Sequence, residues 1–167
     1  MRIGHGYDVH RIVPGRKLIL CGVPVPWDGR GLLGHSDADV AAHALMDAIL
    51  GAGALGDIGQ LFPDSDPAYE GADSMVLLRE VCRKVREAGF RLGNCDITIL
   101  AQKPRLMPYI PEMRRTLARV MDTEADRVSV KATTEEGLGF TGLGEGMAAH
   151  AVVLLEERAR DDERSQG

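Results

Sequence analysis

Apolar and polar residues alternate along MRIGHGYDVHRIV, residues 1–13, and this alternation predicts a β-strand. On such a strand Asp8 and His10, two positions apart, project from one face, and His5, at odd spacing from them, projects from the other. KLILCGVPVPW, residues 17–27, predicts a second strand that Pro24 and Pro26 confine to an edge or end, paired with the first through the turn around Pro14 and Gly15. Residues 28–34, with Gly29, Gly31 and Gly34, read as a loop. The period then lengthens. Ser36 is a good N-cap with Asp39 three residues on in the capping-box pattern and Asp37 in the positive first turn, so a helix is expected here. Asp39, His43 and Asp47 fall on one stripe of it, among the apolar Val40, Ala41, Ala44, Leu45, Ala48 and Ile49.

GAGALGDIG, residues 51–59, is too glycine-rich to continue that helix, and LFPDSDP, residues 61–67, is turn-forming, with Phe62 as a candidate anchor. Met75, Leu78, Val81, Cys82 and Val85 trace a second helix over residues 74–88, closed by Gly89. Residues 91–101 predict a strand with Ile97, Ile99 and Ala101 on one face, followed by a proline-punctuated turn into a helix over 113–121. A strand over 126–132, a glycine-rich segment over 133–146 and a strand over 147–156 complete a single domain, 1–157. The charged tail, 158–167, lacks large apolar residues and is expected to be disordered. Strands interleaved with helices suit an α+β fold, a mixed sheet with helices on one face in a ferredoxin-like layout.

Composition narrows the function. Hydrophobic residues at 44% and charged residues at 27% of 167 are ordinary for a soluble globular chain, and a net charge of -5 argues against a general nucleic-acid binder. Cys21, Cys82 and Cys95 are odd in number, show no C-x-x-C spacing and read as reduced core residues. With no secretory h-region and no apolar run of roughly 20 residues, a cytoplasmic location is expected.

The candidate chemistry starts with Asp8 and His10, which suit half a metal site or a hydrogen-bonded structural pair. With His43 they supply one carboxylate and two imidazoles, a set that leaves a tetrahedral zinc ion one open position, as in catalytic sites. The chain carries no G-x-S-x-G and no Cys with a recognisable His partner, so substrate or water must attack. Thr133, Thr134, Glu135 and Glu136 offer oxygens that a hard cation such as Mg2+ prefers, and Lys103, Arg105 and Lys131 are candidates for phosphate charge. Zinc-activated water in a phosphohydrolase and a structural zinc site in a binding protein are the competing readings.

Five motifs taken together carry a resemblance. D-V-H at 8–10, H-S-D-A-D-V-A-A-H at 35–43, G-D-I-G-Q-L-F-P-D-S-D-P at 56–67, A-Q-K-P-R at 101–105 and K-A-T-T-E-E-G-L-G-F-T-G at 131–142 resemble the 2-C-methyl-D-erythritol 2,4-cyclodiphosphate synthases, in order over residues 1–157. The resemblance implies conversion of 4-diphosphocytidyl-2-C-methyl-D-erythritol 2-phosphate to the cyclic diphosphate and CMP, in the non-mevalonate isoprenoid pathway. The substrate's own 2-phosphate would attack the β-phosphorus. Asp8, His10 and His43 would bind one Zn2+ per subunit, and Glu136 would accompany Mg2+ or Mn2+ on the substrate phosphates. His35 and Thr134 match the family's transition-state-stabilising residues.

The implied substrate contacts are wider. Asp8, Val9, His10, His35 and Ser36 border the metal, while Asp57, Ile58, Gly59, Phe62, Pro63, Asp64, Ser65 and Asp66 match the segment that holds the methylerythritol phosphate. Ala101, Gln102, Lys103, Pro104, Arg105, Leu106 and Met107 match the cytidine pocket; Thr133, Thr134, Glu135 and Glu136 line the diphosphate path, and Phe140 is retained with Glu145. The family is a homotrimer with active sites between subunits. One position departs: Leu143 stands where many relatives carry a basic residue lining the central cavity, which should weaken an anionic ligand there.

Overall fold

The computed structural model describes residues 1–63, 65–69 and 71–158. In chain order the elements are β1 (Arg2–Pro14), β2 (Leu18–Leu20), β3 (Val23–Val25), β4 (Arg30–Leu32), α1 (Val40–Gly53), α2 (Ile58–Leu61), α3 (Ser74–Glu87), β5 (Phe90–Leu100), α4 (Ile110–Met121), β6 (Val128–Thr133), α5 (Gly139–Gly142) and β7 (Gly146–Glu157), with short 3-10 turns between some of them. The expected tail lies outside the described residues except for Arg158, and so does Asp64.

Five strands form one sheet in the order β4-β1-β7-β5-β6. β1 and β5 both run antiparallel to β7, whereas β5 and β6 are parallel, joined by α4 as the crossover. The mixed α+β class and the helices on one face agree with the sequence pattern. The connectivity does not follow a ferredoxin-like β-α-β-β-α-β order, because the long helix α4 separates β5 from β6, and only the short α5 lies between β6 and the last strand, β7. Segment 17–27 also differs from expectation. It folds on itself as the β2–β3 hairpin, turning at Cys21 and Gly22, both with positive φ, while β1 pairs with β4 instead. The loop expected at 28–34 therefore contains β4.

Beneath the sheet, α1 is buried almost all round, as an evenly apolar helix should be, and Leu45, Ile49 and Leu50 each contribute about 2 kcal/mol by leaving water. Its seat on β1 is unusually close. A Cβ on Gly6 would stand 1.9 Å from the Ala44 carbonyl oxygen, and one on Gly4 the same distance from that of Ala48. The glycines thus let the helix backbone touch the strand, which carries His43 to Asp8. The helix also runs on through Gly51 to Gly53, past the expected stop, because its packing outweighs the helical cost of glycine, and it ends on Ala54 in the left-handed conformation. At the other side of the core, α4 starts at Ile110 rather than Met113 because Pro111 fits a helix's first turn.

Alternation along β1 sends Gly4, Gly6, Asp8 and His10 toward the helices and Ile3, His5, Tyr7 and Val9 away from them. That second face, continued by His150 and Val152 of β7, has no element of this chain over it among the described residues, and Ile3 is 75% exposed.

Candidate active site

The start of α1 is built differently from its sequence signature. Asp39, not Ser36, is the N-cap, accepting from the Ala42 amide at 3.0 Å. The same carboxylate, fully buried, accepts the Cys21 and Gly22 amides at 2.9 and 2.7 Å and so pins the β2–β3 turn to the helix. Burial pushes Asp39 up to about 6, helped by the charge of Asp37 and opposed by the three amides. Ser36, relieved of capping, turns its hydroxyl to within 3.1 Å of His43 Nε2. Asp37 turns outward from the helix and accepts both the amide and, at 2.5 Å, the hydroxyl of Ser74 at the head of α3.

Asp8 Oδ2, His10 Nε2 and His43 Nδ1 stand at the corners of a nearly equilateral triangle with sides of 3.0, 3.1 and 3.1 Å. Ligands that share one zinc ion at about 2.0–2.1 Å are expected about this far apart, so the donor set and its spacing fit a divalent metal. Each imidazole is oriented through its other nitrogen. His10 Nδ1 lies 2.8 Å from the Leu33 carbonyl, and His43 Nε2 lies 3.0 Å from Ser74 Oγ, which in turn donates to Asp37. Such partners fix the tautomer that leaves the facing nitrogen as a lone pair. Burial raises Asp8, but hydrogen bonds and charge from both histidines outweigh it and bring the carboxyl down to about 2. Burial lowers His43, and the Asp8 carboxylate more than restores it, so the net shift is upward.

These three groups open into a cavity of about 290 Å³ that His35, Ser36, Ile58, Gly59 and Phe62 also line. Phe62 is held there by an edge contact with Tyr69, ring centroids 5.3 Å apart. Asp57 caps α2 through the Gln60 amide and faces solvent, and Pro63, Ser65 and Asp66 lie in the loop beyond. Val9 sends its side chain to the opposite sheet face.

A second cavity, of about 730 Å³, is lined by Ala101 to Met107, Lys131, Thr133 and Thr134, and shares no lining residue with the first. The segment that shapes it turns through a cis peptide between Lys103 and Pro104. Trp27 and Asp28 also line it, and no motif marked them; their place depends on the β2–β3 hairpin. Glu135, Glu136 and Phe140 are exposed and line neither cavity, with Glu136 accepting from Thr134 Oγ1 at 3.1 Å and Glu135 from the Thr141 hydroxyl. Lys131 is paired with Asp96 at 2.5 Å. One chain thus brings together His35 and the candidate metal ligands Asp8, His10 and His43 in one place, and Thr134 and the 101–107 segment in another.

The thiols offer no nucleophile. Cys21, Cys82 and Cys95 are buried and free, and burial pushes Cys82 and Cys95 up to about 11 and about 12. Ser74, which completes the support of His43, carried no sequence signal beyond its position at a helix start.

The YgbB family model matches residues 1–156. A 2-C-methyl-D-erythritol 2,4-cyclodiphosphate synthase from Moorella thermoacetica is 65% identical over 158 residues, covering 95% of this chain and 96% of its own. The synthase of the same name from Trichlorobacter lovleyi is 63% identical, covering 93% and 98%. Among solved structures, a 2C-methyl-D-erythritol-2,4-cyclodiphosphate synthase in a CDP-bound form superposes with a TM-score of 0.85 at 43% identity, over 93% of this chain and all of that one. The bifunctional IspDF from Campylobacter jejuni superposes at 0.90 with 47% identity, over 93% of this chain and 42% of that one.

Proposed function

This chain belongs to the YgbB family, and from that premise we propose that it converts 4-diphosphocytidyl-2-C-methyl-D-erythritol 2-phosphate to 2-C-methyl-D-erythritol 2,4-cyclodiphosphate, releasing CMP, as a phosphorus–oxygen lyase of cytoplasmic isoprenoid biosynthesis. An oxygen of the substrate's 2-phosphate attacks the β-phosphorus while the bond from that phosphorus to the oxygen bridging the α-phosphate breaks. The bridging oxygen leaves with CMP, and no water is consumed. What the chain must do is therefore to position two phosphates and neutralise their charge.

Asp8, His10 and His43 are the residues to hold a zinc ion, whose chemistry there is to polarise a phosphoryl oxygen. His35, at the exposed rim of the same cavity, donates to phosphate oxygens in this reading. Thr134 contributes its hydroxyl along the diphosphate path, and Glu136 supplies a carboxylate for Mg2+ or Mn2+ on the phosphates. Ile58, Gly59 and Phe62 hold the methylerythritol part, and Ala101 to Met107 enclose the cytidine.

The observation that carries this reading is the division of these residues between two separate cavities. A substrate with a nucleotide at one end and a branched polyol phosphate at the other needs both, and a homotrimer can supply them from adjacent subunits. The exposed face of Ile3, Tyr7, Val9 and Val152 supports the same assembly, because such an apolar patch is expected to be covered. Phosphorus NMR of the purified protein with the diphosphocytidyl substrate, zinc and Mg2+ tests the reaction. Resonances of a cyclic diphosphate and CMP are expected; linear phosphates, the products of hydrolysis, would overturn it. Light scattering on the same sample reads the subunit number.

A further inference from the structure

The open sheet face carries a second pair of histidines that the proposed reaction does not use. His5 of β1 and His150 of β7 are diagonal neighbours across the two strands, with His5 Nε2 3.0 Å from His150 Nδ1. Tyr7, directly opposite His150 in the register, lies with its ring centroid 4.8 Å from that imidazole and helps to hold it. Around them stand Ile3, Val9 and Val152, so covering this face removes both imidazoles from water. The pair satisfies only one nitrogen of each ring, and the other nitrogens then need a partner.

Strand order decides where they go. β7, which carries His150, is flanked on both sides, by β1 and β5, so if three copies close face to face, its side chains turn to the axis and the sheet edges meet each other. The four neighbouring strands β1, β7, β5 and β6, about 5 Å apart, give a face ~20 Å wide, and the centre of each face of such a three-sided prism stands ~6 Å from its axis. An imidazole reaches about that far from its strand. The three pairs therefore converge.

Resting on the trimeric reading above, we propose that His150 Nε2 of each of three chains ligates one borderline transition-metal ion, such as Zn2+, on the three-fold axis. Imidazole nitrogen suits such ions. His5 acts as a positioning residue: accepting the His150 Nδ1–H, it fixes the tautomer that leaves Nε2 as a lone pair, as outer partners of metal-bound histidines do. This ion is separate from the one at Asp8, His10 and His43, which project from the opposite face of the sheet.

Native mass spectrometry of the zinc-loaded protein reads assembly and metal content together. The expected wild-type species is a trimer with four zinc ions, and His150→Gln is expected to give a trimer with three. His5→Ala should weaken retention of the fourth ion by roughly 10–100-fold. A wild-type trimer with three ions, or a His150→Gln trimer with four, overturns the axial site and leaves the trimer standing. A wild-type monomer or dimer overturns the trimeric reading and the axial site with it. Should His150→Gln not assemble, zinc-edge anomalous scattering from wild-type crystals decides: a peak on the axis supports the site and its absence overturns it.

Discussion

Strand β1 contributes to two histidine pairs, one on each face, and the pairs are almost equal in spacing. His10 Nε2 and His43 Nδ1 are 3.1 Å apart, His5 Nε2 and His150 Nδ1 3.0 Å. Their surroundings differ completely. The first pair has a carboxylate at the third corner and a layer of support behind it: the Leu33 carbonyl, the hydroxyls of Ser36 and Ser74, and Asp37. The second has an aromatic ring and aliphatic side chains. Two imidazoles at ligand spacing do not by themselves make a metal centre; orientation by outer hydrogen bonds and a matched charge do. Within one chain, only the inner pair has both.

The largest effect expected from breaking this contrast is at His43. His43→Ala should drop zinc at the inner site from one per chain to none, by elemental analysis, and lower turnover at least about a hundredfold, because a catalytic metal's coordination is lost. Full activity with zinc bound would remove His43 from the ligand set. Thr134→Ala probes the other cavity and should lower turnover about 10–100-fold with zinc retained, as loss of a group that stabilises developing charge does; metal loss in this variant would mean that the two cavities are not separate in function. Ser74→Ala keeps every ligand but removes the bridge from His43 to Asp37, so zinc affinity, measured by competition with a chelator, should fall about tenfold. An unchanged affinity would show that ligand spacing alone holds the metal. The smallest effect is expected at His5, where His5→Ala should leave turnover within about twofold, since it lines neither cavity.

Much of this site is legible one segment at a time. Asp8 and His10 share a face, and His5 opposes them, because strand alternation is a local rule. Helix α3 follows from apolar periodicity and α1 from an evenly apolar run, and the five motifs mark Asp8, His10 and His43 as candidate metal ligands and 101–107 as a candidate pocket segment. Local rules also misled. A serine followed three residues on by an acid reads as a capping box, yet Asp39 caps the helix itself, since two further amides from the β2–β3 turn reach it in the core. The apolar run 17–27 reads as one strand, yet Cys21 and Gly22 adopt positive φ and fold it in two.

Features whose causes lie within a few residues are written in the chain itself: which side chains share a face, where helices run, which residue types could ligate a metal, and the α+β class. Folding in three dimensions was needed for the sheet order, the pairing of β1 with β4, the meeting of His5 with a residue 145 positions away, and the sorting of motif residues into two cavities. Those features depend on how many weak long-range contacts settle together, and above all on the two glycines of β1 that let α1 lie directly on the strand. No local pattern encodes that sum.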